Sequence, residues 1–313
     1  MSKLRLSHLT WGGILFLCLG LSYQATLVPP FYLDTVVVIG HNETIPAPSP
    51  GSPQVKWVPE ASGFLYGDFL FKQGDQRQYD IYLVTNKHVI LDHMAAATGP
   101  LLVRFNLQSP GPAREYSIPF KDEQGKPSWH AHPDADVDLA VVRINANLLR
   151  DQGARFDFFR SDGPILNREK AKEIGLSEGD EIFVMGFPMG LADGVQDYVI
   201  VRQGVIARIR DRLDSPTVKT FLIDAFVFPG NSGSPVVLKP ESASIQGTKP
   251  GINEAYLLGI VQGFVPYIDV AVSAQTRRAR VTFEENSGLA NVVPADYIQE
   301  TIQDYKKSLP PSP

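Results

Sequence analysis

Residues 228–237 read FPGNSGSPVV, a turn of small residues that runs into an apolar strand. Ser232 lies between Asn231 and Gly233, where a tight turn can expose a hydroxyl and leave neighbouring backbone N–H groups without partners. A serine nucleophile requires both features, an accessible oxygen and amide donors for a developing oxyanion. The same composition is equally typical of a plain hairpin turn. The turn alone therefore leaves two interpretations, and a base and an orienting acid elsewhere in the chain would decide between them.

The composition is that of a folded protein with a sizeable core. The chain has 313 residues, of which 43% are hydrophobic and 20% charged, and its net charge is -5. These values argue against disorder and against a nucleic-acid partner, which usually calls for a basic surface. The 26 glycines and 25 prolines favour many short strands joined by turns over long helices.

The N-terminus predicts a targeting segment. Lys3 and Arg5 precede the run WGGILFLCLGL at residues 11–21, which suits a signal peptide, and residues 9–28 could also contact or span a membrane. Residues 1–30 are therefore predicted to be a signal peptide or membrane anchor, with the protein exported to the periplasm or the extracellular space. Cys18 is the single cysteine, so no intrachain disulfide can form. The Pro/Ser-rich composition that follows predicts a linker over residues 31–60.

Short apolar runs broken by turns predict two groups of strands. They lie at 64–71, 79–85, 101–107, 114–120 and 139–144, and then at 181–186, 198–209, 220–225, 234–238, 256–264 and 290–293. One long connection separates the groups, which favours two antiparallel barrels, at about 61–150 and about 178–293. Residues 294–309 predict a closing amphipathic helix with Tyr297, Ile298, Ile302 and Tyr305 on one face.

Two further residues have the properties that a serine nucleophile needs. His88 directly follows the end of an apolar strand, which would give a general base a fixed position and partial exposure. Asp138 abuts the apolar run at 139–142, where a partly desolvated carboxylate could orient the imidazole. Asp134 and Asp136 compete for this role but lie farther from the apolar run, in what reads as a solvated turn.

Three motifs in this order resemble the trypsin-like (chymotrypsin-fold) serine peptidases. They are TNKHV at 85–89, DLAVV at 138–142 and GNSGSP at 230–235, and VMGFP at 184–188, GVI at 204–206 and LGIVQGF at 258–264 support them. The resemblance covers about residues 61–305 and is nearest to the disulfide-free bacterial branch that includes HtrA/Deg and glutamyl-endopeptidase-type enzymes, without a PDZ module. It implies an all-β fold of two antiparallel six-stranded Greek-key barrels with a C-terminal helix, in addition to the N-terminal apolar helix.

The resemblance also implies roles for individual residues. Ser232 would be the nucleophile, His88 the base and Asp138 the orienter, with the backbone amides of Gly230 and Ser232 as the oxyanion hole. Ser234 is the competing hydroxyl. The expected activity is a serine endopeptidase that forms an acyl-enzyme and takes protein or peptide substrates.

The substrate site expected from the resemblance is formed by Phe226, Gln262, Gly263 and Phe264. No acidic residue lies at the expected pocket base, so a preference for Arg or Lys in the substrate is not predicted. An apolar or small side chain is favoured, and Arg202 and Arg208 leave a glutamate preference open.

Two other interpretations compete with the peptidase. His130, His132 and Asp134 have a spacing that metal ligands can adopt, although no further histidine lies near them in the sequence. A catalytically silent peptidase-fold scaffold or binding protein of the cell envelope is the other, although none of the three triad residues is missing. The preferred interpretation predicts no metal ion and no cofactor.

Overall fold

The fold is taken from a computed structural model of the chain. It describes residues 27–46, 52–96, 99–122, 125–192, 194–241, 243–245, 247–248 and 254–309. Residues 1–26, which hold nearly all of the predicted signal peptide or membrane anchor and its apolar helix, lie outside these ranges. Among the helices within the ranges, none is both long and apolar enough to span a membrane.

The first half of the chain forms one curled sheet of eight strands. The strands are β1 (Val36–Ile45), β2 (Gln54–Gln73), β3 (Gln76–Thr85), β4 (Leu101–Phe105), β5 (Arg114–Ile118), β6 (Trp129–Ala131), β7 (Ala140–Arg143) and β8 (Phe159–Arg160). Their order is β5-β4-β1-β2-β3-β7-β6, and β8 pairs with β2 in parallel. The sheet forms a half-barrel whose concave side is filled by apolar side chains.

The second half forms a closed barrel of six strands. Its part of the chain contains β9 (Glu181–Gly186), β10 (Ile200–Arg208), β11 (Phe221–Asp224), β12 (Pro235–Leu238), β13 (Ala243–Ser244), β14 (Gly247–Thr248), β15 (Leu257–Val272) and β16 (Ala279–Pro294). The barrel order is β10-β11-β16-β15-β12-β9, while β13 and β14 pair only with each other. Closure leaves no free edge where the six strands pair around the barrel, whereas β15 and β16 continue beyond it as a two-stranded extension.

Within the described ranges, six helices connect and cover the two sheets. They are α1 (Pro30–Asp34), α2 (Lys87–Ala96), α3 (Ala146–Asp151), α4 (Arg168–Glu173), α5 (Arg210–Asp214) and α6 (Asp296–Ser308), with a 3₁₀ turn at Pro188–Gly190. Asn145 and Asn167 cap α3 and α4 by accepting a backbone N–H three residues ahead. On α6, Ile298 and Ile302 are fully buried, as the amphipathic pattern predicted.

One apolar cluster joins the two sheets. It contains Phe64 and Leu139 from the first sheet, Phe187 and Ile260 from the second half, and Ile298 from α6. Because burial of apolar surface stabilises by about 25 cal/mol per Å², this shared cluster fixes the two halves against each other. The double-barrel prediction with a C-terminal helix is thereby confirmed, with eight strands rather than six in the first sheet.

The structure differs from the predicted linker over residues 31–60. β1 and the start of β2 occupy most of this range, and they pair antiparallel from Val36 opposite Phe64 to Ile45 opposite Gln54. The reason is the run VVVI at 36–39, which is buried in the sheet and provides enough apolar surface to hold a strand. The Pro/Ser-rich composition lies between Ile45 and Gln54 in the sequence, outside the two strands.

Candidate active site

Two adjacent strand ends form one side of the candidate site. β3 and β7 pair antiparallel, with Thr85 opposite Ala140. An antiparallel pair places the end of one strand beside the start of the other. His88, just past the end of β3, therefore lies next to Asp138, just before the start of β7. The sheet register thus brings together two residues that are far apart in the sequence.

Asp138 holds His88 through two hydrogen bonds. The backbone N–H of His88 donates to Asp138 Oδ1 at 2.9 Å, and His88 Nδ1 lies 2.6 Å from Asp138 Oδ2. Asn86 donates its side-chain amide to the Asp138 carbonyl at 2.9 Å, which fixes the acid in turn. Because a carboxylate can only accept, Nδ1 carries the proton, and the lone pair of the neutral imidazole is on Nε2.

The surroundings of His88 determine its proton affinity. Burial alone would lower the pKa of His88, but the hydrogen bond and negative charge of Asp138, with a smaller contribution from Asp92, outweigh it and raise the pKa above 6.5. The side chain of His88 keeps 39% of its surface exposed, whereas that of Asp138 keeps 12%. An oriented imidazole of this kind is both accessible and basic enough to accept a proton near neutral pH.

The structure separates Asp138 from the two other aspartates of this loop. Asp134 pairs with Lys219 at 2.6 Å, and the hydrogen bond from Lys219 lowers the pKa of Asp134. Asp136 is exposed and donates its backbone N–H to Asp134. Only Asp138, of these three, has a hydrogen bond with His88.

The small-residue turn provides a half-exposed hydroxyl and a buried one. Ser232 is partly exposed, whereas Ser234 is fully buried and accepts a hydrogen bond from Asn231 Nδ2 at 3.3 Å. Gly233 has a φ of +87°, and a Cβ there would lie 1.9 Å from the Ser62 carbonyl oxygen. No other residue type fits at that position, so Gly233 shapes the turn that presents Ser232.

Two backbone amides of the turn are available to a ligand. Asn231, Gly233 and Ser234 donate their N–H groups to backbone carbonyls, but among the described residues the N–H groups of Gly230 and Ser232 have no acceptor. Gly230 has a φ of +96°, which an L residue rarely adopts. The Ser232 hydroxyl donates to the Gln262 carbonyl at 3.3 Å. The described residues show no hydrogen bond between this hydroxyl and His88.

Ser62 of β2 connects the two halves of the site, a role that the sequence did not indicate. Its N–H donates to the Ser232 carbonyl at 2.9 Å, and its hydroxyl donates to the Gly230 carbonyl at 2.7 Å. The same hydroxyl accepts the Phe187 N–H at 3.0 Å. Ser62 is fully buried, so these bonds form away from water and hold the turn against the first sheet.

His88 and Asp138 line a cleft of about 500 Å³. Three of the predicted substrate residues, Gln262, Gly263 and Phe264, line the opposite wall. On this stretch β15 pairs with β16, whereas its other partner, β12, begins at Pro235 opposite Ile260. The backbone of 262–264 therefore has an open edge beside Ser232.

The sequence was compared with models of known protein families and with curated proteins. Residues 61–242 match the trypsin-like peptidase domain, which is more than half of the chain. The chain belongs to this family. A comparison with curated proteins found no match. The matched range includes His88, Asp138 and Ser232, whereas residues 262–264, which line the cleft, lie beyond that range.

The fourth predicted substrate residue lies apart from the cleft wall. Phe226 is 60% exposed and is not among the residues that line the cleft. Its ring stacks on Phe228 with 6.5 Å between ring centroids, and Arg202 lies over the Phe228 ring at 5.2 Å. The trypsin-like domain thus has an exposed aromatic pair on the segment that leads into the Ser232 turn.

A larger cavity of the trypsin-like domain lies elsewhere. About 860 Å³ in volume, it is lined by Arg77, Arg143, Arg150 and Arg160, together with Asp80. Arg77 pairs with Asp162 and Arg143 with Asp80, so two of the four cations are neutralised locally. The cavity contains neither His88 nor Ser232 and has no part in the candidate site.

The three residues of the metal-hydrolase interpretation have different partners. His130 Nε2 lies 2.8 Å from Asp304, and His132 Nε2 lies 3.3 Å from Glu300, both on α6. Asp134 pairs with Lys219. Each histidine joins the first sheet to the C-terminal helix, which gives it a packing role in the trypsin-like domain.

Proposed function

We propose that this trypsin-like peptidase domain is a serine endopeptidase that hydrolyses peptide bonds through an acyl-enzyme. The observation that carries the proposal is the 2.6 Å contact between His88 Nδ1 and Asp138 Oδ2 at the cleft beside the Ser232 turn. This contact leaves the second imidazole nitrogen free to take a proton. An oriented, exposed imidazole suits acyl transfer, and Gln262, which lines the same cleft, accepts the hydroxyl of Ser232.

In the proposed mechanism, Ser232 Oγ attacks the substrate carbonyl carbon while His88 Nε2 takes the hydroxyl proton. The tetrahedral intermediate collapses, the C–N bond breaks, and His88 returns the proton to the leaving amine. Water then attacks the acyl-enzyme with His88 again as base, which releases the acid and restores Ser232. Asp138 keeps the imidazole in the required tautomer and stabilises its protonated form.

The two unpartnered amides would stabilise the intermediate. The N–H groups of Gly230 and Ser232 have no acceptor among the described residues, although both belong to a turn that is otherwise well bonded. Donors fixed in this way interact most strongly with charge that develops during the reaction. Ser62 would position both, since it bonds to the carbonyls of the same two residues.

The open edge at 262–264 would bind the substrate backbone. An extended peptide can add as a strand to an exposed sheet edge through main-chain hydrogen bonds. The Gln262 carbonyl now accepts the Ser232 hydroxyl at a long 3.3 Å. A substrate N–H would compete for this carbonyl and release the hydroxyl toward the imidazole.

A second candidate function rests on the same 3.3 Å bond. The Ser232 hydroxyl donates to Gln262 and not to His88, as it could in a catalytically silent protein. The domain would then be a peptidase-fold scaffold or binding protein of the cell envelope. The peptidase is favoured because a silent protein has no need of a His–Asp pair that leaves an accessible nitrogen at the cleft.

Labelling with a fluorophosphonate probe tests the two candidates. We expect the wild-type chain to be labelled, Ser232→Ala to lose the label, and Ser287→Ala, which changes an exposed serine of the second barrel, to keep it. An unlabelled wild-type chain would support the silent scaffold. Loss of labelling in Ser234→Ala, with folding verified by circular dichroism and the label kept in Ser232→Ala, would move the nucleophile to Ser234.

Substrate preference at the cleaved bond is proposed to be apolar. Phe264 lines the cleft, and Phe226 is exposed on the segment that precedes the Ser232 turn. The two arginines that could bind glutamate have other partners, since Arg208 pairs with Asp211 at 3.1 Å and Arg202 stacks on Phe228. A peptide-library cleavage profile would check this. Enrichment of Glu before the cleaved bond, reduced by Arg202→Gln, would instead favour the glutamyl-endopeptidase type.

We further propose that the protein is exported and that it belongs to a disulfide-free branch of the family. The apolar run at 11–21 favours a location outside the cytoplasm, where the run is either removed as a signal peptide or tethers the protein to the membrane. The single cysteine favours the disulfide-free branch that resembles HtrA/Deg and glutamyl-endopeptidase-type enzymes. Fractionation of cells that express the chain, with and without residues 1–30, would check the location, since a cytoplasmic full-length chain contradicts it.

A further inference from the structure

Three potential metal ligands converge on the first sheet. They are His41 of β1, Glu60 of β2 and His93 of α2, and one ligand atom from each lies within 4.8 Å of the other two. His41 Nδ1 lies 2.7 Å from Glu60 Oε1, and His93 Nδ1 lies 2.7 Å from Glu60 Oε2. One carboxylate thus lies between two imidazoles.

An irregularity in the sheet directs Glu60 to this position. The register of β1 against β2 shifts between Ile39, opposite Ala61, and Gly40, opposite Pro59. Glu60 is the extra residue of this bulge and has no partner on β1. Bulges commonly re-aim a side chain at functional sites. Here the bulge turns the carboxylate toward the two histidines.

The Nδ1 atoms of His41 and His93 both face the Glu60 carboxylate. His93 Nδ1 lies 2.7 Å from Glu60 Oε2 and Nε2 lies 3.2 Å from the Gly99 carbonyl, and a neutral ring has one proton, so it can donate to only one of these two acceptors. His41 Nδ1 is buried and makes no hydrogen bond to any described residue, although Glu60 is 2.7 Å away. Acceptors that face each other at this distance require a cation or an added proton between them.

We propose that His41, Glu60 and His93 bind a divalent transition-metal ion, with zinc as the first choice. Two imidazole nitrogens and one carboxylate form an ordinary zinc ligand set, with bonds of about 2.0–2.2 Å and a water in the fourth position. Calcium and magnesium prefer all-oxygen ligands and fit less well. His93 donates its other nitrogen to a backbone carbonyl, as zinc-bound histidines commonly do.

The ion would clamp α2 to the neighbouring strands β1 and β2. The side chain of His93 is fully buried, while those of His41 and Glu60 keep 12% and 26% of their surface exposed. The ion could therefore enter from the side of the two strands. Because His88 lies on the same helix, the clamp would also fix the element that carries the candidate base.

Titration of the metal-stripped full chain with Co²⁺, followed by its visible absorption, and with Zn²⁺ by calorimetry tests the proposal. We expect one ion per chain with a Kd of about 1 μM or tighter. His41→Gln and Glu60→Gln should weaken binding at least about tenfold. His132→Gln, which changes a buried histidine with a carboxylate partner elsewhere, should bind as the wild type does.

The His88→Gln variant excludes an ion held by the candidate active site, and it too should bind as the wild type does. No binding by the wild type up to about 100 μM zinc would overturn the proposal. Unchanged binding in both His41→Gln and Glu60→Gln, or loss in His88→Gln alone, would overturn it as well. In those cases the cluster would be a protonated imidazole–carboxylate network. Circular dichroism of each variant verifies that it is folded.

Discussion

One helix carries two histidines that each contact a carboxylate, and only one of them is accessible. His88 Nδ1 lies 2.6 Å from Asp138 near the start of α2, and His93 Nδ1 lies 2.7 Å from Glu60 farther along. Five residues of an α-helix turn by about 500°, so the two side chains leave the helix about 140° apart. His88 therefore faces the cleft, and His93 faces the paired strands β1 and β2.

The other ring nitrogen distinguishes the two pairs. His93 is fully buried and its Nε2 is occupied by the Gly99 carbonyl, whereas 39% of the His88 side chain is exposed at the cleft. A general base needs a free nitrogen that a substrate can reach, while a structural or metal-binding imidazole needs fixed partners on both sides. Similar contacts with a carboxylate thus suit a general base when the imidazole is exposed, and a structural or metal-binding role when it is buried.

Exchange of each histidine for glutamine should show the largest difference between the pairs. We expect His88→Gln to lower kcat by about 10⁶-fold, as loss of the base of such a triad does. His93→Gln should change kcat no more than a few-fold once the folded fraction is accounted for, but should destabilise the fold by about 1–3 kcal/mol because it disturbs a buried polar group.

Cleavage of the best substrate from the peptide-library profile, together with urea unfolding, measures both effects. Equal losses of kcat in the two variants would contradict the division of tasks on α2.

The two carboxylates provide the next largest contrast. Asp138→Asn should lower kcat by about 10⁴-fold, because an amide in this position favours the wrong imidazole tautomer. Glu60→Gln should leave kcat within a few-fold, since Glu60 contacts neither His88 nor the Ser232 turn. Initial rates under saturating substrate measure both, and a large loss of kcat in Glu60→Gln with unchanged folding would place Glu60 in the catalytic machinery.

The parts of the fold that the sequence predicted are those with local signals. All eleven predicted apolar runs overlap strands, because an apolar run provides the side chains that one face of a sheet buries, although β2, β15 and β16 extend well beyond their runs. His88 and Asp138 could be paired because both abut strands, and antiparallel registry places such ends together. Ser232 could be separated from Ser234 only by the resemblance, and the structure adds that Ser234 is buried.

The features that the sequence did not predict depend on contacts between distant residues. Ser62 bonds to a carbonyl 168 residues away, which no local pattern can show. The His41–Glu60–His93 cluster depends on one bulge and on a helix face, so its members look like isolated polar residues in the sequence. β1 was hidden because its buried run VVVI is short and leads into a Pro/Ser-rich tract.

Ser62 should affect catalysis at the His88–Asp138 pair but not metal binding at the His93–Glu60 pair. Ser62→Ala removes the hydroxyl that bonds to the Gly230 carbonyl and accepts the Phe187 N–H. We expect a destabilisation of about 1–3 kcal/mol. We also expect a kcat about tenfold lower, since a shift of the turn weakens two oxyanion donors.

Ser117→Ala, at an exposed serine of the same sheet, is the matched control and should change neither quantity. Unchanged kcat in Ser62→Ala would separate the oxyanion donors from this anchor, and reduced metal binding in Ser62→Ala would contradict the independence of the two pairs.

The smallest expected effect is a shift in the pH profile. Burial lowers the pKa of His88, but Asp138 raises it more, so the pKa lies above 6.5 in the folded protein. Since only the neutral imidazole accepts a proton, kcat/KM should rise with pH through an apparent pKa above 6.5. The stability that the protonated pair contributes should be full below 6.5 and lost as the pH rises through the folded pKa.

Two aspartate variants separate the sources of this shift. Asp138→Asn should lower the pKa of His88 most, because it removes both the hydrogen bond and the charge, and because the effect of burial then dominates. Asp92→Asn, which removes only a more distant and exposed charge, should lower it slightly, with less effect at high salt. An NMR titration of the imidazole resonances measures both shifts directly. If Asp92→Asn had the larger effect, the electrostatics of α2 itself, and not the contact with Asp138, would determine the proton affinity of His88.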